Sequence, residues 1–297
     1  MGKFAKAETQ AASVIKALQK NGAISSLSTA ENYRQCLTRV CRYVKEERLG
    51  SLRELTPAQA VNYLNIRGEE VGQKTVDQER HAIQCMMQNL TGKLDAGIRL
   101  YPEKSEYQQI LTSRSYTPEQ VQLVAAAQRE NNALSTAIAH AAGLRGHELL
   151  TLRRIEERSP SPASVAKAKP EKFQGRDGVH YTVKGKGGLV REVVLPKHLA
   201  ERLEQRRFEE PQRVTDRGIH YGQHYDINGG QKWANSFSQA STRALGWTAG
   251  AHGVRHSYAQ ERMHELQNSG LNRAYALEVV SQEMGHFRPA ITETYLR

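Results

Sequence analysis

The chain has 297 residues and a mass of 33.3 kDa, with 38% hydrophobic and 25% charged residues. This composition is typical of a folded globular protein, and the length allows one large domain or two smaller ones, each with its own core. No apolar run approaches the roughly 20 residues of a membrane-spanning helix, and the N-terminal sequence MGKFAKAETQ lacks the apolar stretch of a signal peptide. The three cysteines show no Cys-x-x-Cys spacing, which argues against a disulfide framework and a structural zinc site. We therefore expect a cytoplasmic protein without a membrane partner.

The formal net charge is +11, from 42 Lys and Arg against 31 Asp and Glu. The excess is spread along the chain, because residues 1–115 hold 17 basic and 12 acidic residues and residues 116–297 hold 25 and 19. Two basic modules around a polyanion would show this distribution, and the usual polyanion is nucleic acid. Many cytoplasmic proteins are simply basic, so charge alone leaves nucleic-acid binding open.

Residues 1–100 predict a small helical domain. Apolar residues at helical spacing indicate an extra N-terminal helix at about 4–20 and a second helix that stops before Gly50. The sequence Thr56-Pro57-Ala58-Gln59 predicts a third helix that opens with a capping box. A fourth helix runs from about Lys74, and residues 101–115, with Pro102 and mixed charge, are interpreted as a linker.

A second domain is predicted over residues 116–297, starting with another capping box at Thr117-Pro118-Glu119-Gln120. Residues 156–178 are rich in Ser, Pro, Ala and Lys, which predicts a mobile loop. The β-branched runs 179–183 and 189–195 around a Gly-Lys-Gly-Gly turn predict a hairpin. Residues 209–230 are interpreted as a polar connection, and helices return from Gln231 onward. The expected fold class is mainly α with a small β-hairpin or sheet, which makes the second domain α+β.

Four separated clusters in the second domain carry candidate functional side chains. The first is Arg145 with Glu148, the second is Lys186 and the third is His252 with Arg255. The fourth is Met284-Gly285-His286, followed nine residues later by Tyr295. Each cluster alone has an ordinary structural explanation. The first could be a helix-surface ion pair, the second a solvated turn lysine and the third a polar helix face. The last histidine could cap a helix, and the tyrosine could simply pack on the fold. Their combination is more informative than any member.

The order of these residues is similar to the signature Arg…Lys…His-x-x-Arg…His…Tyr of the tyrosine recombinase (phage integrase) family. The local contexts of that family are present as well. Gly-Leu-Arg-x-x-Glu-Leu stands at 143–149, Gly-Lys-Gly lies in a hairpin with a later basic residue, Arg191, and a Gly-His pair precedes the tyrosine. The resemblance covers residues 117–297 by motif and residues 25–100 more loosely, as the helical core-binding domain that the family places first.

The resemblance implies a site-specific DNA recombinase that cleaves and rejoins strands through a 3′-phosphotyrosine intermediate. It implies that Tyr295 is the nucleophile, that Lys186 protonates the leaving 5′ oxygen and that Arg145 and Arg255 hold the phosphate. His252 and His286 would bind the phosphate or assist proton transfer, two roles that the sequence does not separate. Glu148 would orient Arg145 or His252. No cofactor and no metal are expected, because the chemistry needs neither and no carboxylate cluster is evident.

The resemblance also implies a two-domain, C-shaped clamp on double-stranded DNA, with a homodimer on one site and a tetramer in the synapse. Accessory DNA-bending proteins are possible further partners, and the location would be the prokaryotic cytoplasm, associated with the nucleoid. A mobile genetic element is the favoured source, although integration, excision, inversion and resolution are not distinguished. Only two residues follow Tyr295, whereas many members of the family carry a further helix that docks on a neighbouring protomer. The N-terminal helix is a hypothetical substitute for that contact.

Two alternative functions stay open at this point. A type IB topoisomerase uses the same phosphotyrosine chemistry but would relax supercoils without a specific site. A DNA-binding accessory factor could keep the fold without catalysis, although the presence of every expected catalytic residue argues against it.

Overall fold

The computed structural model describes residues 4–107 and 112–297 of the chain. The chain divides into two compact units, Met1–Ile110 and Leu111–Arg297. The predicted linker at 101–115 includes residues 108–111, which lie outside the described residues. Each unit is built around its own apolar core.

The first unit is helical, and its helices are α1 (Ala7–Lys20), α2 (Leu27–Glu46), α3 (Pro57–Glu70) and α4 (Gln73–Met86), which continues as a π-helical turn over Met87–Thr91. The predicted capping box is present at α3, where the Thr56 side chain accepts a hydrogen bond from the Gln59 amide and the Gln59 side chain accepts one from the Thr56 amide. These reciprocal bonds satisfy backbone donors that the first turn leaves free. Leu100 is buried in the same core, so the chain beyond the π-helical turn returns to this unit.

Helix α1 is an integral part of the first unit. Its apolar stripe, which includes Ala11, Val14 and Leu18, is fully buried in the core that α2 also lines. A helix whose apolar face is buried in its own domain presents a polar face to solvent. Any contact of α1 with a second protomer would therefore use polar side chains.

The second unit is mainly helical, with helices α5 (Pro118–Ala126), α6 (Glu130–Ala142), α7 (Pro162–Ala166), α8 (Lys197–Glu204), α9 (Gly230–Leu245), α10 (Gly253–Asn268), α11 (Arg273–Glu283) and α12 (Pro289–Glu293). Its strands are β1 (Arg153–Arg154), β2 (Val179–Lys184), β3 (Val190–Leu195), β4 (Arg207–Asp216) and β5 (Ile219–Tyr225). The first three form one antiparallel sheet in the order β1-β2-β3, and the last two form a separate hairpin. The expected class, mainly α with small antiparallel sheets, is confirmed.

The core of the second unit packs α5, α6 and α9 against the three-stranded sheet. Trp233 of α9 is buried there, and its indole N–H donates to Thr136 of α6 at 3.0 Å. Trp247, in the turn between α9 and α10, lies parallel to the ring of Tyr116 at a centroid distance of 5.0 Å and is 43% exposed.

Two sequence expectations in this unit need correction. The 156–178 segment is not a free loop, because it contains α7 and its backbone and side chains bond to α10 and α11. The 209–230 connection contains most of the β4–β5 hairpin. Its alternation is hard to recognise in the sequence because β4 carries charged residues on exposed positions, among them Glu209, Glu210 and Arg213.

Candidate active site

Arg145 is positioned by the end of α6. Gly143 ends that helix with φ +58°, a left-handed conformation that favours glycine, and turns the chain toward the sheet. The Arg145 amide then donates to Oε2 of Glu148 at 2.8 Å, and its Nη1 donates to Oε1 at 2.9 Å. The side chain of Arg145 keeps 24% exposure. Because Glu148 fixes this guanidinium and part of the side chain stays exposed, Arg145 is able to bind an anion.

Glu148 is completely buried and contacts three arginines. Besides Arg145, it accepts from Nη2 of Arg191 at 2.8 Å and lies 3.9 Å from Nη1 of Arg255. Burial acts to raise the pKa of Glu148, but the charges of Arg191, Arg255 and Arg145 outweigh it and hold the pKa well below its ordinary value. Of the two partners expected for Glu148, Arg145 and His252, the carboxylate bonds to Arg145, and its other charged contacts in the described part of the chain are Arg191 and Arg255.

Arg255 lies in the first turn of α10 and is completely buried. Its Nη1 donates to the carbonyl of Gly143 and its Nη2 to the carbonyl of Met284, while Nη2 also lies 2.9 Å from Nε2 of His286. Burial and the nearby charge of Arg145 lower the pKa of Arg255 to about 9. Within residues 4–107 and 112–297, its Nε has no hydrogen-bond partner.

Tyr295 lies between imidazole rings. Its hydroxyl is 3.1 Å from Nε2 of His252, and its ring centroid is 5.1 Å from that of His286. The Arg255 guanidinium carbon lies 5.7 Å from the centroid of the same ring. Nδ1 of His286 bonds to the Thr292 hydroxyl at 2.9 Å, which fixes the plane of the imidazole.

Both of these histidines are neutral near pH 7. Desolvation and the charge of Arg255 lower the pKa of His252 to about 4 and that of His286 to about 2. A neutral imidazole can accept a proton or donate a hydrogen bond, depending on which nitrogen carries the hydrogen.

His256 is a member of the cluster that the sequence analysis missed. Its ring centroid lies 4.7 Å from that of Tyr295 and 5.7 Å from that of His252, and its Nδ1 is buried without a hydrogen-bond partner in the described part of the chain. Desolvation and the charge of Arg114 lower its pKa to about 4. The sequence signal was the spacing of four residues between His252 and His256, because residues four apart on a helix lie on the same face.

Lys186 stands apart from this cluster. It begins the tight turn of the predicted β2–β3 hairpin, it is exposed, and no hydrogen bond or ion pair joins it to another described residue. The hairpin itself approaches the site, because a Cβ on Gly185 would lie 3.2 Å from Oε1 of Glu148. The structure therefore brings the other six predicted residues together and places Lys186 next to Gly185, the hairpin glycine that lies against Glu148.

The cluster carries an excess of positive charge. Arg145, Arg191 and Arg255 share one carboxylate, Glu148, which leaves two positive charges without a bound counterion among the described residues. Charge held away from water is costly unless it is paired, so such a site favours an anionic ligand. No group of three His, Cys, Asp or Glu in the described ranges could hold a metal ion, and no helix there is long and apolar enough to cross a membrane.

The sequence matches no protein-family model and no curated protein sequence. Several solved structures nevertheless share its fold. A XerH site-specific recombinase bound to a palindromic difH substrate has a TM-score of 0.61 over 98% of this chain and 93% of its own, at 14% identity. A lambda integrase in a tetramer bound to a Holliday junction has a TM-score of 0.59 over 97% of this chain and 76% of its own, at 13% identity. A Tn1549 transposon integrase in complex with transposon right end DNA has a TM-score of 0.53 over 99% and 95%, at 14% identity.

The chain thus has the fold of the tyrosine recombinases and integrases. The resemblance seen in the sequence motifs is confirmed at the level of the fold, across nearly the full length of the chain.

Proposed function

We propose that this protein is a site-specific DNA recombinase that cleaves and rejoins DNA strands through a 3′-phosphotyrosine intermediate. The observation that carries the proposal is a tyrosine hydroxyl 3.1 Å from a neutral imidazole, beside a buried arginine cluster with two uncompensated positive charges. A nucleophile next to an anion-binding site is the arrangement that phosphoryl transfer requires.

In the proposed reaction, the Tyr295 oxygen attacks the scissile phosphorus and the bond from phosphorus to the 5′ oxygen breaks. His252 accepts the phenolic proton, since its Nε2 faces the hydroxyl and the ring is neutral. Arg145 and Arg255 stabilise the charge that develops on the non-bridging oxygens, helped by His286. Lys186 protonates the leaving oxygen, which requires the β2–β3 turn to move toward bound DNA. Attack by a 5′ hydroxyl on the phosphotyrosine reverses these steps and rejoins the strand.

We further propose that the protein acts on double-stranded DNA as a homo-oligomer. The lambda integrase structures of the same fold are a dimer on a core site and a tetramer on a Holliday junction. Exchange of strands between two duplexes needs a cut in each of four strands, and a tetramer supplies one tyrosine for each. A mobile genetic element is the proposed source, in keeping with the transposon integrase that shares the fold.

A covalent trapping assay tests the function. The protein is mixed with nicked DNA fragments from the flanks of its own gene, without metal or ATP, and the products are separated on a denaturing gel. We expect a protein–DNA band with wild type and with Tyr221→Phe, a tyrosine of the same unit that lies outside the cluster, and no band with Tyr295→Phe. The fragment that forms the band identifies the site.

The same protein and DNA fragments distinguish the two alternative functions. Tight, salt-sensitive binding without a band from any fragment would favour the accessory factor. A band on every fragment, with relaxation of a plasmid that lacks the site, would favour the topoisomerase.

A further inference from the structure

Residues 169–176, which we call the strap, lie between β1 and β2 and bond to the two helices that carry the site. The Lys169 amide donates to Oε1 of Gln282 at 2.8 Å, and the Phe173 amide donates to Oε1 of Glu283 at 2.8 Å, both on α11. Arg176 makes a two-point ion pair with Glu265 of α10, at 3.0 and 2.7 Å. The strap therefore holds the C-terminal half of α10 to the end of α11.

The Glu283 carboxylate is the buried centre of these contacts, with no exposed surface. It accepts from Nε and Nη2 of Arg262 at 2.9 and 2.8 Å and from the Tyr258 hydroxyl at 2.8 Å, in addition to the strap amide at Phe173. These four hydrogen bonds, which come from three residues, fix the position of the carboxylate.

The backbone that follows this carboxylate holds the arginines of the site. The carbonyl of Glu283 accepts from Nη1 of Arg191 at 2.5 Å, and the carbonyl of Met284 accepts from Arg255. Gly285 packs so tightly that a Cβ there would lie 2.6 Å from Cδ of Arg191. A shift at Glu283 is therefore transmitted to both guanidiniums and to His286, three residues later.

The C-terminal end of the strap, Arg176, contacts the end of α6. Nη1 of Arg176 donates to the carbonyl of Ala141 at 2.9 Å, and its guanidinium carbon lies 4.8 Å from the ring centroid of Tyr258. Ala141 is in the last turn of α6, two residues before Gly143, whose carbonyl accepts from Arg191 and Arg255. The strap thus joins the two backbone segments whose carbonyls bind these arginines.

We propose that the strap, through Arg176 and Glu283, is a positioning element for DNA cleavage. It sets the spacing between the end of α6 and the end of α11, and with it the positions of Arg255, His286 and Tyr295. Neither Arg176 nor Glu283 contacts the Tyr295 hydroxyl or the side chain of Arg145, which is proposed to bind the phosphate. The inference rests on the proposed function, because the rate that the strap controls is the rate of covalent cleavage.

The test measures DNA affinity and the single-turnover rate constant of covalent complex formation separately. In Arg176→Ala, we expect the rate constant at saturating DNA to fall at least about tenfold, since a misplacement of 1 Å can cost about a hundredfold. The Kd for DNA should stay within about twofold, and Arg176→Lys should recover part of the rate. Glu283→Gln should show a larger loss of the same kind. Arg202→Ala, which removes a single ion pair to Glu130 at 2.7 Å on the surface of α8, is the matched control and should cleave like wild type.

The amplitude and the rate constant of the single-turnover reaction distinguish positioning from stability, because a partly unfolded variant reduces the amount of covalent complex, whereas a misplaced side chain reduces the rate constant. If Arg176→Ala cleaves at the wild-type rate, or loses amplitude without losing rate, the strap is a structural brace only and the proposal is overturned. Should Glu283→Gln not fold, Arg176→Ala alone decides. If wild type forms no covalent complex, the proposed function itself fails, and that outcome is distinct from cleavage that ignores the strap.

Discussion

Glu148 illustrates how one buried side chain can organise a charged site. Its carboxylate pairs with Arg145 and Arg191 and lies near Arg255, so it is the counterion nearest to three guanidiniums. We expect Glu148→Gln to lower the free energy of unfolding by about 3–5 kcal/mol, the usual cost of removing one partner from a buried ion pair. Urea denaturation of the variant measures this loss. Glu130→Gln, at a carboxylate that is 56% exposed, should change stability by less than about 1 kcal/mol, and equal effects of the two substitutions would contradict the assigned role.

Lys186 should be separable from the other site residues by changing the leaving group. We expect Lys186→Ala to cleave ordinary DNA at least about a hundredfold more slowly, the range that general acids contribute. A substrate with sulfur at the 5′ bridging position should restore most of the rate, because a thiolate leaves without prior protonation. Single-turnover cleavage of both substrates provides the measurement, with Arg255→Ala for comparison, which the sulfur should not rescue. A Lys186→Ala defect that persists on the sulfur substrate would assign the proton to another group.

The low pKa values of the histidines imply a stability that depends on pH. His286 has a pKa of about 2 in the folded chain against an ordinary value of 6.5, so the unfolded chain binds a proton that the folded chain does not. The stability from a neutral ring is complete above pH 6.5 and is lost as the pH falls below that value. We expect the Tm to drop between about pH 7.5 and pH 5 and the drop to shrink in His286→Asn. His198→Gln, at an exposed position, should leave the drop unchanged, and an equal shrinkage in both variants would refute the argument.

Residue order alone was enough to predict six side chains that the structure places in one cluster. It could not show that Arg191 joins them, because a buried arginine and a surface arginine look alike in a sequence. His256 was missed although it lies four residues after His252, a spacing that places both side chains on one helix face. The contact of Arg191 with Glu148 depends on β3 lying beside the end of α6, which is a property of the tertiary fold.

At the scale of elements, the end of α6 provides the backbone carbonyl of Gly143, which accepts hydrogen bonds from Arg191 and Arg255. Gly143 has φ +58°, and a Cβ there would lie 2.6 Å from the ring of Tyr258. We expect Gly143→Ala to cost about 2–4 kcal/mol in stability, from backbone strain together with overpacking, and to slow cleavage. Gly246→Ala is the control, because Gly246 ends α9 with φ +78° and open space around it, so strain alone should cost about 1–2 kcal/mol. Chemical denaturation of the pair measures the difference, and similar losses would show that the packing against Tyr258 is unimportant.

Local signals predicted the elements well where the chemistry of the element is itself local. The capping boxes at Thr56 and Thr117 and the turn at Gly185 fix their elements within a few residues of sequence. The strap was missed because its stability comes from partners far along the chain, and the β4–β5 hairpin was missed because charged residues at exposed positions of β4 hide its alternation. Phe173, for example, is held by Glu283, 110 residues away.

For the whole molecule, the charge of +11 leads to a quantitative expectation about DNA binding. Each phosphate neutralised by the protein adds about −0.9 to the slope of log K against log salt concentration. We expect a steep negative slope for wild type and a slope shallower by about 1 in Arg145→Ala, which removes one of the proposed phosphate contacts. Fluorescence anisotropy with labelled duplex over a range of salt concentrations measures both slopes. Arg202→Ala serves as the control, and a slope that Arg145→Ala leaves unchanged would place that side chain away from the backbone of bound DNA.

The positions of the two tryptophans give the molecule a built-in optical probe. Trp233 and Trp247 are the only tryptophans in the chain, and both belong to the second unit. Fluorescence excited selectively at tryptophan therefore reports on that unit alone, while circular dichroism reports the helices of both. Because Trp247 is partly exposed in the turn that leads to His252, its emission should also respond when DNA occupies the site, without any added label.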